Sequence, residues 1–183
     1  MSAETDWVLD QLVSVVDWAA STYTLANGDA VTIKRVDRND SQVYDGSQTV
    51  DMSSPIHSRK EQLQRAIYIG AKETGRSRQY IGSDPDYRGG PTIRVRIDGL
   101  TALGGEYGHI DPSGDNGVPF TGANSLVRKI QDKLTTTIAF PSVSGSRGTT
   151  VDFEMVNDQN LSGNWADFYR YDFDLIFTEF QER

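Results

Sequence analysis

Residues 166–180 read ADFYRYDFDLIFTEF, and this alternation constrains the fold more than any other stretch of the chain. In an extended strand successive side chains point to opposite faces. Tyr169, Tyr171, Phe173, Leu175 and Phe177 then share one side, and this apolar set is the expected core face. Phe168, Arg170, Asp172, Asp174, Ile176, Thr178 and Phe180 share the other. A slip of one residue would turn the aromatic set to water, so the register is strongly specified. A long apolar strand face also demands a second layer to cover it.

The rest of the chain offers that layer and further strands. Val8, Leu12, Val15 and Ala19 recur at helical spacing within TDWVLDQLVSVVDWAA, residues 5–20, with Thr5 or Asp6 as the cap. AVTIKRVDR, residues 30–38, is alternating and β-branched and reads as a strand. A hairpin is expected from Ala66–Ala71 and Thr92–Asp98, with Ile93, Val95 and Ile97 facing the core and Arg94 and Arg96 facing away. Leu126, Ile130 and Leu134, with Val127 beside them, mark a helix over Asn124–Ile138, capped by Thr121 or Asn124. Thr149–Val156 is a further strand. Long polar loops are expected at about 37–55, 72–91 and 104–120. The order is helix, strand, hairpin, helix, two strands. That order predicts a single α+β domain over 1–183: a mixed or antiparallel sheet with two helices packed on one face and long loop excursions.

Composition narrows the chemistry. The 183 residues contain no Cys, which excludes disulfides, thiolate metal sites and cysteine nucleophiles. His57 and His109 are the only histidines, too few for a multi-His metal centre. No apolar run is long enough to span a bilayer, and the acidic start MSAETDWVLDQL has none of the marks of a signal peptide. Acids outnumber bases 26 to 18, for a net charge of −8. Asp outnumbers Glu 19 to 7, and Lys occurs only 5 times. Short hydrated carboxylates and few long apolar stems suit a chain kept dissolved in concentrated salt. The alternative is an ordinary acidic protein. Charge is uneven as well. Residues 57–110 hold 9 bases against 6 acids, a basic island in an acidic protein.

The local motifs argue against an enzyme. DPSGDNG, Asp111–Gly117, has the alternating oxygens of a Ca²⁺ loop, but Gly122 stands where a bidentate Glu belongs, and an Asx-rich turn is the simpler reading. SDPDYRGG places Asp84 and Asp86 in a turn without a third ligand nearby. Neither histidine adjoins a nucleophile motif, and no phosphate-binding glycine loop is present. No catalytic residue, cofactor or metal is therefore expected. Lys72, Arg76, Arg78 and Arg88, with Arg94 and Arg96 behind them, form a cationic stretch flanked only by Tyr80 and Tyr87. They suit phosphates or an acidic protein surface, and the overall acidity favours the protein.

Taken together, the order of elements resembles the tail terminator proteins of long-tailed viruses, of the lambda minor tail protein U type. AIYIGAKETG (66–75) resembles the start of that family's hairpin, and PTIRVRIDGL (91–100) its return strand. VNDQNLSGNWADFYRYDFDLIFTEF (156–180), with Trp165, Ala166 and Tyr171, resembles its closing turn and strand most closely. The loops at 37–55 and 104–120 depart from the family pattern. The resemblance implies a structural virion protein of the tail or neck: a homohexameric ring that caps the tail tube and stops its polymerisation. Its implied partners are itself, the tail tube protein and the head–tail connector or stopper, with DNA passing non-specifically through the lumen and no membrane. With the Asp-rich composition, the host would be a haloarchaeon, and assembly would take place in its cytoplasm. Lys72, Arg76, Arg78, Arg88, Arg94 and Arg96 are the expected subunit or tube interface. A neck adaptor, tail-completion or tail-tube protein on the same scaffold, and an unrelated halophilic binding module, are the alternatives.

Overall fold

The computed structural model describes residues 2–37, 42–44, 49–51, 63–81, 87–102, 108–136, 143, 149–162 and 167–181. His57, Asp84, Asp86, Trp165 and Ala166 lie outside them. The fold is α+β. Helices α1 (Ala3–Gln11), α2 (Val13–Thr22) and α3 (Leu126–Thr136) pack on one face of a five-stranded sheet. Its strands are β1 (Ile33–Asp37), β4 (Ile67–Tyr80), β5 (Tyr87–Leu100), β7 (Phe168–Gln181) and β6 (Thr149–Asn160), in that spatial order. Only β1–β4 is a parallel pair. Strands β2 (Gln42–Tyr44) and β3 (Thr49–Asp51) form a separate antiparallel ribbon, within what reads as loop in the sequence.

The periodicities place the core correctly. Val8, Leu12, Val15 and Ala19 are all buried, as are Leu126, Val127, Ile130 and Leu134. They meet Ile67, Ile69, Ile93, Val95, Ile97, Phe173, Leu175 and Phe177 from the sheet. Trp7 sits edge-on to both Phe153 and Phe177, with ring centres 5.9 Å apart in each case. The last strand keeps the expected core face at Phe173, Leu175 and Phe177, buried against the helices, but Tyr169 and Tyr171 are only partly buried. Phe168, expected on the other side, is buried in a second cluster with Leu63, Tyr68 and Leu100.

The boundaries differ for local reasons. The first helix breaks at Leu12, whose N–H turns back to Leu9 rather than Val8, a one-residue 3₁₀ tightening. The Leu9 carbonyl, which accepts from Leu12 at this break, also accepts from Arg35 at 3.0 Å. The cap of α1 is Ser2, accepting from the Thr5 N–H, and not Thr5 or Asp6. At α3, Ser125 Oγ accepts from the Arg128 N–H in place of Thr121 or Asn124. The largest correction concerns 72–91. It is no loop of about twenty residues: β4 and β5 stay paired out to Tyr80 opposite Tyr87. Polar and Gly residues there read as loop because no core covers them, yet the hydrogen-bonded ladder continues. Of the segment 104–120, residues 108–120 are tied in as well, with His109, Ile110, Val118 and Phe120 buried.

Candidate assembly interface

The six expected interface cations of the basic island divide into two groups. Three of its arginines are already spent within the chain. On the sheet face away from the helices, antiparallel β5 and β7 set Arg94 opposite Asp174, Arg96 opposite Asp172 and Asp98 opposite Arg170. Each pair closes as an ion pair. Arg94 reaches the two oxygens of Asp174 at 2.8 and 3.0 Å, Arg96 reaches Asp172 at 2.9–3.1 Å, and Arg170 reaches Asp98 at 2.8 and 3.3 Å. Paired forks of this kind are directional as well as attractive. Hydrogen bonding to Arg94, with help from Asn157 at 2.8 Å, holds the Asp174 carboxyl below its ordinary pKa despite burial. The ladder is graded in burial, from the enclosed Asp98 to Arg94, whose side chain is 43% exposed.

Arg76 is the second internal tie. A register shift between Glu73 and Gly75 turns it to the helix side of the sheet. There it meets Glu179 at 3.2 Å, Glu73 at 3.3 Å and Glu4 at 3.5 Å. Burial opposes its charge, but the hydrogen bond and charge of Glu73, with Glu4 and Glu179, hold its pKa above the ordinary value. Glu4 and Glu179 are each only 1% exposed, so this clasp joins α1, the last strand and the arm that β4 and β5 form beyond Ala71.

Lys72, Arg78 and Arg88 form the second group, and among the described residues they make no ion pair. The Arg78 guanidinium lies 3.7 Å from the centre of the Tyr87 ring and 5.5 Å from that of Tyr80, a stack that fixes its direction. Around them the surface is unusually apolar. Of five large apolar side chains exposed among the described residues, Tyr80, Ile81, Ile176 and Phe180 lie on this arm or the part of β7 beside it. Gly89 is required here: a Cβ would stand 2.2 Å from the Ser77 carbonyl oxygen across the hairpin.

Of the other motifs, those of Asp111 and His109 fall within the described residues. Asp111 accepts from the Ser113 N–H and Oγ and from the Asn116 N–H, an Asx turn with its oxygens in use. Among the described residues no group of three potential metal-ligating side chains occurs. His109 is buried, and its Nδ1 accepts from the Thr32 N–H at 2.9 Å. Burial lowers its pKa, keeping the ring neutral. Sequence reasoning missed the acids of β6. Asp152 and Glu154 are exposed and lie on the same sheet face as Lys72 and Arg88. Compared with known proteins, the chain matches no protein-family model, and no curated protein matches it significantly.

Proposed function

We propose that this chain is a structural virion protein of a long-tailed virus, a tail terminator. Copies form a hexameric ring that caps the tail tube, halts its growth and joins it to the head connector, with DNA passing through the lumen. One observation carries the proposal: the sheet ends in a basic, apolar arm, and the outer edges of β4 beyond Ala71 and of β6 have no strand partner among the described residues. A ring-forming subunit needs two different complementary surfaces, and strand edges with an exposed apolar patch are suited to that use. The ion ladder fits the same role, because three arginines paired with three aspartates offer little net attraction to phosphate. The Asp-rich composition favours a haloarchaeal host.

Light scattering behind a sizing column, in concentrated KCl, should give six times the 20.3 kDa chain mass, and the particles should block elongation when added to growing tail tubes. The same open edges also favour a tube-type protein on this scaffold, which would give open filaments. A monomer that leaves tube growth unchanged would refute both readings.

A further inference from the structure

The sheet carries opposite charge at its two open edges. Strand β1 covers β4 only from Ile67 to Ala71, so from Lys72 to Tyr80 the outer edge of β4 is unpaired among the described residues. At the far side β6 is the last strand. On the face away from the helices, Lys72 and Arg88 stand toward the β4 side, and Asp152 and Glu154 on β6. The rows match in height. Lys72 shares a row with Arg94, Asp174 and Val156, and Glu154 lies one row further along with Thr92 and Ile176. The edges are roughly 14 Å apart at the usual strand spacing. Strands β4, β5, β7 and β6 alternate in direction, so β6 runs antiparallel to β4. An unpaired β4 edge from one copy can therefore meet the unpaired β6 edge of another as an ordinary antiparallel pair.

We propose that the arm of one copy docks on the β6 edge of a second copy, head to tail, with Lys72 and Arg88 against Asp152 and Glu154. Charge selects this geometry over a two-fold dimer. A β6–β6 contact would set acids against acids, and an arm–arm contact would set cations against cations. Exposed pairs are weak and screened by salt, so they choose the partner edge more than they hold it. The hold comes from strand pairing and from covering Tyr80, Ile81 and Phe180. A depression of about 180 Å³ beside Gly89, bordered by Ser77, Gln79, Arg88 and Thr178, offers room for an acidic side chain. The contact deepens the ring reading by naming its interface, but it would serve any head-to-tail assembly.

A charge swap tests it. One chain carries Lys72→Glu with Arg88→Glu, so both its edges are acidic. Another carries Asp152→Lys with Glu154→Lys, so both are basic. At the lowest salt that keeps each folded by circular dichroism, each alone should elute near 20.3 kDa, and an equal mixture should regain the wild-type mass. Self-association of either variant at the wild-type mass, a mixture that stays monomeric, or a wild-type chain that never associates would overturn the contact. If the swap behaves as expected but the assembly is a filament or a ring of another size, the contact stands and the hexameric terminator falls.

Discussion

The ion ladder makes a quantitative prediction. Its rungs share one chemistry and differ in burial, so their energetic weight should follow exposure. Replacing Arg96 by Met keeps much of the packing but strips Asp172, itself only 7% exposed, of a partner making three short contacts. Breaking a buried pair from one side costs about 3–5 kcal/mol, and the 20% exposure of the Arg96 side chain moves the expectation to the lower end, about 3 kcal/mol. Arg94→Met should cost only about 1 kcal/mol. That guanidinium is 43% exposed, its loss admits water to Asp174, and Asn157 still donates to the carboxylate. Adding Asp172→Leu to Arg96→Met removes the stranded charge and should recover most of the loss. Urea unfolding of the four chains, read by circular dichroism, measures this directly. Equal costs at the two rungs, or a double variant no better than Arg96→Met, would refute the burial argument.

Further predictions concern single groups. With its pKa lowered by burial, His109 is neutral when folded and protonates more readily when unfolded. Stability should therefore fall as pH drops below about 6.5 and keep falling until the folded pKa is reached, and His109→Asn, which keeps an acceptor for Thr32, should flatten that slope in urea titrations at stepped pH. Tyr171, pushed up to about 12 by burial and by its hydrogen bond to Asp158, should ionise late in an ultraviolet titration, and Asp158→Asn should bring it down. Gly89→Ala should force β4 and β5 apart at Ser77, speeding amide exchange in the arm while the buried ends of the strands stay protected.

Much of this was legible in the sequence, and the omissions share a cause. Periodicity found Val8–Ala19, Leu126–Leu134 and Phe173–Phe177 because each set answers to one face of one element. It stopped the hairpin at Ala71 because beyond it the strands have no apolar face to report. It gives no notice that Arg94 and Arg96 are paired within the sheet, because pairing between strands is not a property of either strand alone. A signal was nevertheless present: Arg94, Arg96 and Asp98, set antiparallel to Arg170, Asp172 and Asp174, match charge for charge. The clasp of Arg76 with Glu4 and Glu179 left no comparable trace, since it joins three distant segments.

The place of β7 sets an order of events. It follows β6 in the chain but lies between β5 and β6 in space. Until residues 168–181 are in position, β6 has nothing in the sheet to pair with, and Arg76 lacks Glu179. A chain halted before that point would offer a raw β5 flank and no acidic edge. On the proposed contact, a chain would therefore become able to pair edge to edge only once its last strand is in place.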